Sequence, residues 1–446
     1  MINEFLKYAI PSAFSMFISA LYTIIDGIFV GQGVGDAALA AVNIVLPFTV
    51  ILVGMANMMA VGGGALVSKN IGAKEIDKAV NIFRQVCKFL LILSIVISII
   101  CVIFTNQIVK LLGATKNLQG LAVDYLRFYA LFSIPNLIGI VLNSFVRNDQ
   151  KPKLAMISII SGAITNIILD YVFIFKLGFG IKGAAIATGL GQIVTVSILL
   201  PHFIKKKGYL SFGKVKLQIE SIKEFLKIGF PSFFAQASFS VIVLLHNVII
   251  TKNIGEIGVS AYSIINYIGT NIYMVLFGLT LGAQPLISYN YGKRDDKKML
   301  SFYKITCVSS TLFTCIAVSI CYIFGRNLIQ IFTSDKEILE LAYTGLRFAS
   351  ISYFFVGLNL NTITYYQAIE MPKYSNLICL FRSIIFLPIG LILLSNIFGV
   401  NGVWGGTLFA ETITFTAINL ITNIKSNTLK SIKSFNGKEE LRAAYK

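Results

Sequence analysis

The sequence predicts an all-α integral membrane fold, with twelve transmembrane helices in two parallel six-helix repeats. Three observations carry that expectation. The 446 residues are 56% hydrophobic and only 13% charged, whereas a soluble domain carries about 25% charged residues. Tyr8–Ile25, Ala37–Ser68, Phe89–Val109, Gly183–Pro201 and Ile257–Gly292 contain no Asp, Glu, Lys or Arg, and each reaches or approaches the ~17–25 residues of a spanning helix. These runs do not alternate in ~10-residue units, which argues against a β-barrel. Third, the chain matches itself at a fixed offset.

That offset is 220 residues. LKYAIPSAF at Leu6–Phe14 falls on LKIGFPSFF at Leu226–Phe234, SKNIGAKEIDK from Ser68 on SYNYGKRDDKK from Ser288, and LRF from Leu126 on LRF from Leu346. After the loss of one residue, GIKGAAIAT at Gly180–Thr188 lies on GVNGVWGGT at Gly399–Thr407. The expected spans are about 8–30, 40–68, 86–108, 124–146, 154–175 and 182–204, then 228–251, 258–290, 305–325, 344–368, 375–395 and 402–424. Six spans per copy is an even number, so both copies enter the membrane the same way round, with a cavity expected between the halves. The domains read as a first lobe at 1–204, a linker at 205–224, a second lobe at 225–425 and a basic tail at 426–446.

A net charge of +18 invites a nucleic-acid reading, but its placement favours topology. With an inside N-terminus, 28 Lys and Arg fall in inward segments and 9 in outward ones, with Arg382 inside a span. This is the bias of the positive-inside rule, and it predicts cytoplasmic termini and no nucleic-acid partner. The six cysteines form no C-x-x-C pair and read as small packing residues. The first apolar stretch runs to Asp26 without a small-residue cleavage site, so it is expected to remain as the first helix. No selectivity-filter repeat, catalytic motif or phosphate loop appears, and the chain is not expected to be an enzyme or to need a cofactor.

The chemistry is expected where polar residues interrupt the spans. A charged group in hydrocarbon costs several kcal/mol, so it normally marks a solvated cavity or an ion path. Asp26, Asp170 and Thr188 lie about four to six residues from the outer ends of spans one, five and six, a common depth of ~6–9 Å. Asn166 and Tyr22 sit one turn deeper on the same faces, and Asn143 and Gln192 could line the continuation. Two carboxylates with amide, hydroxyl and phenol oxygens make a hard, all-oxygen environment that suits an alkali or alkaline-earth cation or a shared proton. Close carboxylates cannot both stay ionised without a counter-charge, so proton and cation are expected to compete.

The second half does not repeat this set. His246 occupies the place of Asp26, and Glu411 lies opposite Gln192; each either faces the cavity or bonds a neighbouring helix. Pro11 and Pro231 recur near the inner ends of the first helix of each half, where a proline either bends a helix or starts one. Gly27, Gly31, Gly62–Gly64, Gly183 and Gly402 are expected to permit close helix approach, with Pro11 and Gly27 as hinge candidates.

TIIDGIFVGQGVGDAALAAV at Thr23–Val42, SKNIGAK at Ser68–Lys74 and NIILDYVFIFKLGFGIKGAAIAT at Asn166–Thr188, within two six-helix copies, resemble the multidrug and toxic compound extrusion (MATE) transporters, a family with the MATE/MOP-type fold. The likeness spans residues 5–424 and is nearest the branch resembling DinF and MepA. It implies a secondary active exporter in a cell membrane, which exchanges Na⁺ or H⁺ for small amphiphilic, often cationic, drug-like compounds, with no obligate protein partner. It also implies a coupling site at Asp26, Asn166, Asp170 and Thr188, with Na⁺ held there if sodium is the coupling ion. Tyr22 and Asn143 would be its neighbours, and Tyr22, Asn143, Gln192, His246 and Glu411 are the substrate-cavity candidates. Members resembling the NorM branch use acids in helices seven and ten, which this chain lacks. The alternative is a lipid-linked oligosaccharide flippase of the same superfamily, which would favour a strongly cationic cleft.

Overall fold

The computed structural model describes residues 1–444; the last two residues of the basic tail lie outside the described residues. The first repeat contains α1 (Ile2–Gly33), α2 (Asp36–Gly72), α3 (Ile76–Ile103), α4 (Thr105–Leu111), α5 (Lys116–Leu131), α6 (Ser133–Asn148), α7 (Pro152–Asp170) and α8 (Gly180–Ile204). The second contains α9 (Ile219–Asn253), α10 (Glu256–Gly292), α11 (Asp296–Gln330), α12 (Lys336–Ala368), α13 (Pro372–Leu380), α14 (Phe386–Phe398) and α15 (Val400–Ala444). Among the described residues, ten helices are long and apolar enough to cross a membrane, or eleven when α5 and α6 count as one bent span. The twelfth expected span falls in α15.

The repeat is written in the backbone. Gly35 and Gly255, 220 positions apart, precede α2 and α10 with φ of 110° and 87°, a region that disfavours any side chain. Lys74 and Arg294 leave the other ends of those helices at φ 64° and 58°, and Gln150 and Glu370 make the corresponding turns before α7 and α13 at 64° and 60°. Pro152 and Pro372 then open α7 and α13, where a missing N–H costs nothing.

Three departures from unbroken spans have local causes. The expected span 124–146 is two helices bent by 51°. Pro135, in the first turn of α6, cannot donate to the carbonyl of Leu131, and the Ser98 and Ser133 hydroxyls both donate to the Ala130 carbonyl at 2.8 Å. In span five the helix widens to a π-helical turn over Tyr171–Lys176, directly after Asp170. Span eleven widens at Phe381–Ile385, the turn that carries Arg382. Such turns re-aim side chains and recur at functional positions.

Each repeat has its own apolar core, one around Phe83, Phe145 and Phe203, the other around Leu276, Leu346 and Trp404. The two repeats meet by exchange: α1 packs on α10 and α2 on α9. The backbone-to-backbone glycine contacts between the repeats fall toward the end of the bundle that carries the N-terminus. A Cβ at Gly62 would strike the Phe225 carbonyl, one at Gly229 the Met58 carbonyl, and ones at Gly278 and Gly282 the backbone of Ser12–Ala13 and Tyr8–Ala9. Small residues there let helix backbones touch. The seal is reinforced by the Lys69–Glu370 ion pair, 2.7 Å across the two repeats. Gly402 likewise abuts the Leu394 carbonyl, whereas nothing lies within 4 Å of where a Gly27 Cβ would be. Gly27 is therefore no packing contact. Pro11 lies well inside α1 and Pro231 inside α9, so neither starts its helix.

Candidate functional site

The acids of spans one and five converge. Asp26 on α1 and Asp170 at the last position of α7 stand side by side, close enough to share a proton. Asp170 is fully buried and Asn166, one turn earlier on the same helix, is 2% exposed. The Asn166 amide donates to the Thr188 hydroxyl of α8 at 3.4 Å, which ties the third element to the group. Asp26 Oδ1, Asp170 Oδ1, Asp170 Oδ2 and Asn166 Oδ1 are all buried and accept no well-formed hydrogen bond, although the Asn166 side chain lies near Asp170.

Leaving a buried acceptor without a donor costs about 1–3 kcal/mol, and more when it is charged. Four such oxygens from two neighbouring turns of α7 and from α1 form an acceptor set that lacks a positive partner. A proton on one carboxylate, or a hard monovalent cation among the oxygens, would satisfy it. Among the described residues no group of three or more His, Cys, Asp or Glu could hold a transition metal.

Below this group lies a cavity of about 250 Å³, lined by Tyr22, Asn166, Thr188, Gln192 and Asn143 from the first repeat and by Gln236, Met274 and Phe277 from the second. The Asn143 amide itself is spent on the α6–α7 contact, donating to the Ala155 carbonyl at 2.7 Å and to Ser158 Oγ at 3.2 Å. Tyr22, Asn143 and Gln192 thus stand where a cavity lining would need them.

His246 and Glu411, the other two substrate-cavity candidates, do not line it. Both are absorbed into bonds between helices. His246 Nδ1 donates to the Ile242 carbonyl at 2.9 Å, Nε2 faces Thr407 Oγ1 at 3.2 Å, and the ring stacks on Tyr262 at 4.9 Å. By the repeat, His246 and Thr407 are the counterparts of Asp26 and Thr188. In the second repeat these two positions bond each other directly, whereas in the first Thr188 is bonded by Asn166. Glu411 accepts from Arg382 Nε and Nη2 at 2.9 and 2.5 Å and from the Asn359 amide at 2.7 Å. All partners of that buried carboxylate are accounted for.

Two residues escape a reading by sequence alone. Tyr125 of α5 is 8% exposed and lies within the electrostatic reach of Asp26, Asp170 and Tyr22. Arg147, at the inner end of α6, lines the same cavity from its far side. It counts among the positive charges of the loop after span four, yet it is only 5% exposed. A helix continuing through Asn148 in place of one ending near 146 would have been the signal.

A two-repeat helical membrane protein with an acid pair buried in its first half and a hydrogen-bonded histidine–threonine pair at the equivalent place in its second has the form of a transporter. The MatE family model matches the chain twice, over residues 11–172 and 231–392, copies that begin 220 residues apart. The chain belongs to the MatE family of membrane transporters. It is similar to the multidrug export protein MepA of Staphylococcus saprophyticus subsp. saprophyticus, 26% identical over 427 residues, covering 95% of this chain and 94% of that one. MepA of Staphylococcus haemolyticus is also 26% identical, over 424 residues, 94% of this chain and 93% of the relative. Among solved structures, the outward-facing conformation of a multidrug resistance MATE family transporter of the MOP superfamily superimposes with a TM-score of 0.90, at 24% identity and 96% coverage of both chains.

Proposed function

We propose that this protein is a secondary active multidrug exporter that exchanges Na⁺ or H⁺ for amphiphilic compounds. Asp26, Asn166, Asp170 and Thr188 form the coupling site, and the cavity below it receives the exported compound. The observation that carries this reading is the set of four buried oxygens without donors on Asp26, Asp170 and Asn166. The ion is a co-substrate: it enters the set, neutralises it and leaves by the other face. A ligand shifts an equilibrium between access states only by binding them unequally. The site supplies that inequality when α1, hinging where Pro11 interrupts its hydrogen bonds, carries Asp26 toward or away from Asp170; Gly27, with open space beside it, gives α1 room near the acid.

The inside N-terminus expected from the distribution of Lys and Arg makes the glycine-sealed end cytoplasmic, so this conformation opens outward. Residues 1–204 and 225–425 act as the two lobes, 205–224 as the cytoplasmic linker and 426–446 as a cytoplasmic tail, in the cell membrane. The names of the two MepA relatives support drug-like substrates. A flippase would favour a strongly cationic cleft; the guanidinium of Arg382 is already spent on Glu411, which leaves Arg147 as the single basic residue of the cavity lining among the described residues.

The test is transport in vesicles with Na⁺ and pH gradients imposed separately. One gradient should drive efflux in the wild type and neither in Asp26→Asn or Asp170→Asn, with both variants inserted normally. Wild-type rates in either variant would end the proposal.

A further inference from the structure

The cavity beside the acid pair has one charged residue in its lining among the described residues, Arg147, at the inner end of α6. Arg147 is 5% exposed and lines the cavity. No hydrogen bond or ion pair reaches its guanidinium among the described residues, and Nη1 is buried without an acceptor. A helical side chain leans toward the N-terminus of its own helix. For Arg147 that direction is away from the loop and into the cavity, over Ser144 and Asn143.

An uncompensated buried guanidinium costs several kcal/mol, so architecture alone does not explain it. The repeat supplies the control. The position equivalent to Arg147 in the second repeat is Gln367, whose amide donates to the Ile228 carbonyl at 3.2 Å and to Ser232 Oγ at 2.9 Å. A neutral residue does the structural work of that position, and its partners lie in α9. Arg147 makes no such bond.

We propose that Arg147 is an anion-recognising residue of the cavity, and that the cavity takes zwitterionic amphiphiles whose carboxylate or other oxyanion pairs with its guanidinium. The planar fork of an arginine matches a carboxylate with two parallel bonds. From Ile159, the lowest α7 residue of the lining, to Asp170 is eleven residues, or roughly 16 Å of helix. A cavity of about 250 Å³ suits a small amphiphile, with its cationic head on the side of the acids and its anionic group on Arg147. The inference rests on the reading of this cavity as the substrate site.

The test is calorimetric binding to the purified full chain in detergent, without any gradient. The probes are p-trimethylammoniocinnamate, which carries a carboxylate, and its methyl ester, which does not. A charge-assisted bond is worth about 1.5–3 kcal/mol, so the wild type should bind the carboxylate form roughly 10-fold to 100-fold more tightly than the ester. Arg147→Gln should reduce that ratio to about one, and Arg147→Lys should keep part of it, with unfolding midpoints reporting that both variants are folded. If Arg147→Gln does not fold, the wild-type ratio and its reduction in Arg147→Lys decide. No binding of the zwitterion by the wild type, no preference over the ester, or a preference that survives in Arg147→Gln would overturn the inference. Equal weakening of both probes would assign Arg147 a structural role and overturn it too. Because binding is read without a gradient, a failure of ion-driven efflux would refute the antiport reading separately.

Discussion

Replacing Asp26 by Asn should make the protein more stable while it stops working as an exchanger. In the wild type, three carboxylate oxygens of the Asp26–Asp170 pair are buried without a donor. An asparagine amide brings two N–H groups to the place where one carboxylate stood, a fixed donor where the acid pair has at most one shared proton. Satisfying a single acceptor on Asp170 recovers about 1–3 kcal/mol. With an unfolding entropy of about 2.1 cal/mol/K per residue, a chain of 446 residues gains roughly 1 °C per kcal/mol, so the midpoint should rise by about 1–3 °C. The assay is thermal unfolding in detergent, without Na⁺ and then with increasing Na⁺. If sodium is the coupling ion, the wild type should gain about 2.7 kcal/mol at a hundredfold excess over its dissociation constant, and Asp26→Asn almost nothing. An Asp26→Asn midpoint below that of the wild type without Na⁺ would show that the pair is not the donor-starved site described here. A midpoint that still climbs with Na⁺ as the wild type's does would refute the role of Asp26.

Further outcomes follow from other contacts. Arg382→Met leaves Glu411 buried with only Asn359 as partner and should cost about 3–5 kcal/mol, while Arg382→Met with Glu411→Leu should restore most of the midpoint. Glu370→Gln breaks the partly exposed pair that closes the two repeats, worth about 0.2–1 kcal/mol. Spin-label distances across that end should then show the open population increased by up to about fivefold, and an unchanged distribution would remove the pair from the seal. His246→Ala gives up bonds to Ile242 and Thr407 and should lower stability, yet leave the dependence of transport on the imposed ion gradient as it was.

The fold was legible because a bilayer allows few solutions: uncharged runs of spanning length and a repeat offset of 220 residues leave little choice of architecture. The acid pair was legible for the same reason, since Asp26 and Asp170 are costly enough in apolar spans to announce themselves. Three features were not. The bend at Phe132 depends on where Pro135 falls in its turn. The pairing of Glu411 with Arg382 joins helices whose contact no spacing rule predicts. Arg147 was hidden by the boundary of span four: one further turn of helix moves it from a basic loop to the wall of a cavity. Gly27 read as a packing glycine, but a missing Cβ says nothing about whether a neighbour is there.

The bond between His246 and Thr407 bears on the energetics of pumping. With the second repeat's copy of the site filled by its own side chains, the first repeat's copy is, of the two and among the described residues, the one with vacant carboxylate oxygens for a cation. An exchange that moves one monovalent ion per turnover can draw about 2.3 kcal/mol from each 100 mV of membrane potential and about 1.4 from each tenfold concentration ratio. Under both together, a neutral compound could be driven uphill by no more than a few hundredfold. A toxin that must be held further out of balance would need a pump with a second charge to spend.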